Sequence, residues 1–269
     1  MNAEQKQNQH REDGRLLDTL RTQQCELNTI TRSTSSCSWE SDFTRCVASI
    51  QGPREIQSNK ENGEMLVIDA YYRDGGLSSS SSGNNNSNSN SNRSMEYFIK
   101  QLCQSVLDLR KNPSLGMTVS VQTLNDDGSL LSAIINSIGM ALVESGVETK
   151  GLMCGATCAI RKEDGKMVLD PTKQEENESR ATMTCAFLIN PKTVDKTIVL
   201  AMKTKGKMTE TEVFDGLALC RDAATSVMEY FQATMRAEDE KDAALNPFSP
   251  ANLNAWKEAF EGVAATTTE

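Results

Sequence analysis

Residues 130–146, LLSAIINSIGMALVESG, are apolar almost all the way round a helical wheel, and LMCGATCAI follows at 152–160. A helix with no polar face has to be covered on every side, so this segment is predicted to be deeply buried. Strands are predicted on both sides of it in the sequence. Downstream, LMCGATCAI and MVLD (167–170) flank the turn residues EDG (163–165), and ATMTCAFLI (181–189) with TIVLAM (197–202) read as another antiparallel pair. Upstream, MTVSVQTL (117–124) alternates with Met117, Val119 and Val121 on one face, and MLVIDAYY (65–72) has strand character. CSWESDFTRCVASI (37–50) reads as a hairpin followed by a turn at Gly52-Pro53. Helical spacing in MEYFIKQLCQSVLDLR (95–110) aligns Phe98, Leu102, Val106 and Leu109. Thr209 and Glu212 form a T-x-x-E capping box for a helix predicted to run to about residue 236 and to dissolve in AEDEKDAA. Interleaved helices and strands give an α/β class.

The ends and one insertion carry little apolar material. Residues 1–10 are expected to be a disordered tail, and residues 75–94 a disordered Ser/Asn-rich insertion between a strand and a helix. That leaves residues 11–236 as a single domain, followed by a C-terminal extension (237–269). In the extension, SPANLNAWKEAFEG offers a short helix with Leu253, Trp256 and Phe260 on one stripe, either a satellite of the domain or a docking element for a partner.

The net charge of −9 argues against a protein that coats nucleic acid by itself, which needs a basic surface to neutralise phosphates. A subunit lending a few cations to a shared path remains compatible with it. No apolar run is long enough to span a membrane, and the first residues lack the apolar core of a signal peptide. The eight cysteines include no C-x-x-C pair, and read as reduced core residues of a cytosolic or nuclear protein. No metal and no cofactor is expected.

The single histidine, His10, lies in the polar tail, which leaves imidazole-dependent chemistries without a placed group. Two local patterns remain. LDPTKQEENES groups Asp170, Glu175, Glu176 and Glu178, either a solvated acidic turn or oxygen ligands for Mg²⁺. NDDGSLL opens the buried helix, and its free N–H groups suit an anion. Asp126 and Asp127 precede it, and no Arg or Lys occurs between Asn112 and Glu148, so the aspartates read as helix caps and phosphate is disfavoured.

DDGSLLSAIINSIGMALVESGVETKGLMCGATCAI, followed by MVLDPTKQEENESRATMTCAF, closely resembles the RNase PH domains of the eukaryotic RNA exosome, most nearly the ribosomal-RNA-processing-protein-46 type of ring subunit. REDGRLLDTLR (11–21) resembles the family's arginine-rich opening, and residues 35–53 its first hairpin. The resemblance implies the RNase PH fold, which is ribosomal protein S5 domain 2-like, with mixed sheets and packed helices. Active members are phosphorolytic 3′→5′ exoribonucleases that hold phosphate on a Gly-Thr-Arg-Ser/Thr loop and place a metal with two acidic residues. Carried over, that loop becomes Gly128, Ser129, Leu130 and Leu131; Leu130 stands at the arginine position and cannot bind phosphate. The acidic pair falls on Asp170 and Glu176, a degenerate site in which metal-dependent cleavage is the alternative reading. The family's arginine-rich region is reduced to Arg73, Arg93 and Lys100, the candidates for an RNA path.

The resemblance therefore implies a non-catalytic structural subunit. Its partners would be the other ring subunits, the cap subunits, RNA in the ring channel and, indirectly, the catalytic nuclease, with no membrane. Nucleus and nucleolus, and also cytoplasm, are the implied locations. A free adaptor that recruits partners through Trp256 and Phe260 is a further alternative.

Overall fold

The computed structural model describes residues 11, 13–57, 61–75, 85–193 and 196–245. The tail expected at 1–10, with His10, and the short helix expected at 249–262 lie outside the described residues. The elements run β1 (Gln23–Leu27), β2 (Ser35–Ser41), β3 (Thr44–Glu55), β4 (Val67–Arg73), α1 (Asn85–Val106), β5 (Leu115–Asn125), α2 (Leu130–Glu144), β6 (Leu152–Arg161), β7 (Met167–Leu169), α3 (Lys173–Glu178), β8 (Ser179–Ile189), β9 (Ile198–Gly206) and α4 (Glu210–Leu245). Residues 1–228 cluster as one compact unit and 229–269 as another, so the first boundary falls inside α4, eight residues before the domain end expected at 236.

The strands form two sheets, β1-β2-β3-β5-β4 and β7-β6-β8-β9. Every pairing is antiparallel except β4 with β5, which α1 joins as a crossover. Strict alternation decides which face is covered. In β3, Thr44, Cys46, Ala48 and Ile50 are buried while Arg45, Val47 and Ser49 are half-exposed, and in β5 Met117, Val119, Val121 and Thr123 turn the same way. The apolar helix α2 packs against β2, β3 and β5 of one sheet and β6 and β8 of the other, which is why it needs no polar face.

Gly155 on β6 makes that close approach possible, since a Cβ there would sit 2.9 Å from Cβ of Ile135 on α2. Beside Ile135, the buried Asn136 accepts a 2.7 Å hydrogen bond from the Gly155 N–H and donates one of 3.2 Å to its carbonyl. β7 pairs only with Cys158–Ile160, so Asn136 serves as the partner that β6 lacks further along. Asn136→Leu, nearly the same size, should strand both backbone groups and lower stability by about 2–3 kcal/mol in urea unfolding.

Three boundaries differ from the sequence reading. Gly52-Pro53 does not end the hairpin; it forms a bulge inside β3, which pairs with β5 again at Arg54 and Glu55. The insertion expected to be disordered at 75–94 is helical from Asn85, and residues 76–84 lie outside the described set. The packed segment that ends at Val106 supplies the helical nucleus, and extending it backwards adds one hydrogen bond per residue despite the poor propensities of Ser and Asn. Likewise α4 does not dissolve at AEDEKDAA; Ala, Glu and Lys favour helix, and Lys241 pairs with Glu238 one turn away.

Candidate functional site

The N-terminus of α2 meets the loop between β7 and α3, and a buried arginine joins them. Arg21, 3 % exposed, enters just before β1. Its guanidinium donates to the carbonyls of Asp127 (Nη1, 3.0 Å) and Gly128 (Nη2, 3.0 Å), to Thr44 Oγ1 (3.3 Å) and to Asp170 Oδ1 (2.8 Å). The Arg21 backbone N–H reaches Asp170 Oδ2 at 3.0 Å, and the Ser41 hydroxyl lies 3.4 Å from the same oxygen. Asp170 is itself 4 % exposed, in the left-handed region with φ of 50°. Burial alone would raise its carboxyl, but the charge and donors of Arg21 outweigh it and hold Asp170 below the ordinary carboxylate range. Burial would lower Arg21, and Asp170 lifts it above the ordinary arginine value instead.

The loop before α2 is fastened from the other side by α3. Its N-cap is Ser129, at φ of 51°, and no side chain of its own caps the helix. Glu176 does so from a distance: Oε1 accepts the Ser129 N–H at 2.7 Å. The Ser129 hydroxyl donates to the Pro171 carbonyl at 3.0 Å, and the Lys173 N–H donates to the Asp127 carbonyl at 3.0 Å. Lys173 Nζ is ion-paired with Asp126 and lies 3.9 Å from Glu176 Oε2. Burial pushes the Glu176 carboxyl above its ordinary value; the Ser129 N–H and Lys173 offset only part of this. Gly128 has φ of +91°, and a Cβ there would lie 2.5 to 2.6 Å from backbone atoms of Pro171, Thr172 and Lys173.

The expected cap and acidic turn are both corrected by this geometry. Asp126 accepts from Gly128 N–H at 3.1 Å and binds Lys173, while Asp127 contributes its carbonyl to Arg21, so neither caps α2. The acidic run is not a solvated turn: Asp170 is buried, and Thr172 with Glu175 forms a capping box that starts α3. Sequence distance hid the cations, because Arg21 and Lys173 both lie outside the stretch 112–148 in which no basic residue occurs. Arg11, also buried, steadies the neighbouring carbonyls of Leu169 and Asp170 and lies 3.6 Å from Glu175.

Leu130 and Leu131 sit half-buried at the first turn of α2 and carry no group for an anion. Asp170 and Glu176 do not fit a metal seat. Both Asp170 oxygens already accept from Arg21, and Glu176 is turned to the helix end; a cation at Asp170 would have to break a buried ion pair first. Among the described residues no group of three or more His, Cys, Asp or Glu side chains is placed to hold a metal. The three RNA-path candidates belong to another region. Arg73 ends β4 and, with Tyr71, Glu96 and Gln122, lines a groove on the outer face of the five-stranded sheet. Arg93 and Lys100 lie on α1, two turns apart on one side.

Two adjacent family models match these halves of the structure: that of the 3′ exoribonuclease family, domain 1 (RNase PH), over residues 19–148, and that of domain 2 over residues 151–223. The chain belongs to the RNase PH family. Their junction falls between α2 and β6, so each family half carries one of the two sheets. Among RNase PH relatives, an Arabidopsis thaliana protein named exosome complex exonuclease RRP46 homolog is 32 % identical over 183 residues, 68 % of this chain and 71 % of that one. An Oryza sativa homologue of the same name is 24 % identical over 244 residues, covering 86 % and 98 %. The crystal structure of rice Rrp46 superposes with a TM-score of 0.74 at 26 % identity, over 84 % of this chain and all of that one. An Archaeoglobus fulgidus exosome structure with RNA bound to the active site shares the RNase PH fold, with a TM-score of 0.66 at 19 % identity.

Proposed function

We propose that this chain is a structural ring subunit of the RNA exosome that supports 3′→5′ RNA processing and turnover without phosphorolysis of its own. One observation carries the absence of phosphorolysis. At the N-terminus of α2, where the family resemblance puts the phosphate loop, the arginine position is Leu130 and the Ser129 N–H is held by Glu176. A phosphate brought to that helix end would meet a carboxylate in place of a cation, and repulsion replaces the attraction that binding requires.

The ring assignment is supported by the RRP46 homologues and by the rice Rrp46 structure, all of which is matched by 84 % of this chain. Its partners are the neighbouring RNase-PH-like subunits, the cap subunits, RNA in the channel and, through the assembly, the catalytic nuclease. Nucleus, nucleolus and cytoplasm are the compartments in which that assembly would place it.

Two measurements test the reading. Purified protein, alone and in a reconstituted ring, is given a single-stranded RNA with inorganic phosphate and Mg²⁺. No nucleoside diphosphate is expected above a no-protein control; phosphate-dependent release that co-elutes with the purified chain overturns the reading. Affinity purification of the tagged chain from cells should recover related ring subunits, and recovery of a stable monomer alone would count against the ring.

A further inference from the structure

Of the eight cysteines, seven are buried, and only Cys25 on β1 is partly open to solvent. Its sulfur is already in contact with another thiol, with Cys25 Sγ and Cys37 Sγ 3.3 Å apart. The strand register explains the contact. Cys25 stands opposite Trp39 and Cys37 opposite Leu27, so the two cysteines are diagonal neighbours on the inner face of the β1–β2 pair. β1 is the edge strand of its sheet, which exposes one member of the pair while the other stays at the core.

We propose that Cys25 and Cys37 form a modification site for hydroperoxides, at which Cys25 is oxidised first and Cys37 resolves it to an intramolecular disulfide. In the first step the Cys25 thiolate attacks one oxygen of hydrogen peroxide, the O–O bond breaks, and hydroxide leaves to take up a proton as water. Cys25 is then a sulfenic acid. In the second step the Cys37 sulfur attacks Cys25 Sγ, the S–O bond breaks, and the departing hydroxide leaves as water with the Cys37 proton. Two thiols lose two electrons in total, and one peroxide becomes two waters.

The order of the two cysteines follows from their surroundings. Cys25, on the edge strand, is the sulfur a peroxide in solution can reach, whereas Cys37 is buried behind it; when Cys37 attacks the oxidised Cys25, its proton passes to the departing hydroxide as the S–S bond forms. The sulfurs have to close by only about 1.2 Å to reach the ~2.05 Å bond. Diagonal neighbours sit at the upper end of the Cα separation a disulfide spans, so the edge strand β1 also has to shift slightly toward β2. Cys158, Cys185 and Cys220 also lie together, but all three are buried. The bond would tie the edge strand to β2 four residues after Arg21, the residue that holds the candidate site together.

Trypsin reads the site directly, because Arg21, Arg32 and Arg45 place Cys25 in peptide 22–32 and Cys37 in peptide 33–45. The folded full-length chain is treated with a small excess of hydrogen peroxide, alkylated, digested and analysed by mass spectrometry. The expected product is the disulfide-linked pair of those two peptides, lost on reduction. Cys37→Ser should instead accumulate a Cys25 sulfenic acid that dimedone labels, and Cys25→Ser should leave Cys37 unmodified. The proposal is overturned if the wild-type chain shows Cys25 oxidised with no linked pair. It is also overturned if the links join two copies of the chain, or if Cys37 is oxidised without Cys25.

Discussion

Asp170→Ala should destabilise the protein by about 3–5 kcal/mol, because it removes the one carboxylate in direct contact with the buried Arg21 and leaves only the more exposed Asp127, 3.9 Å away, to balance its charge. The effect should appear as a large drop in the guanidinium midpoint with little change in slope. Partner removal is the costly operation here. The pair itself is not the stabiliser, so Arg21→Met combined with Asp170→Leu should unfold at a higher denaturant concentration than Asp170→Ala alone. The pH dependence has a definite sign. Asp170 is held below its ordinary value in the folded state, so its contribution is complete above the unfolded carboxyl value of about 3.9. The contribution disappears as pH falls through the lower folded value. The wild type should therefore lose its advantage over Asp170→Ala as the solution becomes strongly acid. An advantage that stays constant from pH 7 to pH 2 would contradict the assigned pair.

Gly128→Val should be comparably damaging, for steric reasons. The position has φ of +91°, and its Cβ would lie 2.5 to 2.6 Å from three backbone atoms of the β7–α3 connection. Backbone atoms cannot rotate aside as a flexible side chain can, so either the loop before α2 or the start of α3 has to move. Strain at a left-handed β-branched residue and the enforced overpacking each cost about 1–3 kcal/mol, so a loss of about 3–5 kcal/mol is expected in thermal or denaturant unfolding. Hydrogen exchange gives a local check. The Ser129 and Lys173 amides, which bridge the two segments, should lose protection in Gly128→Val before the α2 amides at Ile134 to Ile138 do.

Most of the elements around the site were legible from periodicity, but β1 and α3, the latter carrying Lys173 and Glu176, were not. The apolar α2 between two sheets, the alternation in β3 and β5, and the antiparallel runs from residue 152 to 206 follow from which residues avoid water. Residues 85–94 and 237–245 were misread for one reason: helix continuation past a packed segment depends on a nucleus formed elsewhere, and local composition does not contain it. The site was legible only in part. Leu130 in place of a cation stands in the sequence, as do Asp170 and Glu176. That Arg21 would reach Asp170 across 149 positions, or that Glu176 would cap a helix 47 residues upstream, depends on tertiary closure. The clue available was the arginine-rich opening at residues 11–21, which carries two of the buried cations but gives no hint of what they hold.

Glu176 has a further consequence as a tethered competitor. A carboxylate held by the fold of the same chain is never diluted, so binding of Glu176 is intramolecular and independent of any solution concentration. Any anion from solution would have to displace it from the Ser129 N–H while the loop stays locked by Arg21 and Lys173. Introducing a cation with Leu130→Arg would therefore supply attraction without vacating the seat. Seating phosphate at this helix end would require at least two changes, one to attract it and one to evict Glu176, so Leu130→Arg alone should leave phosphate unbound.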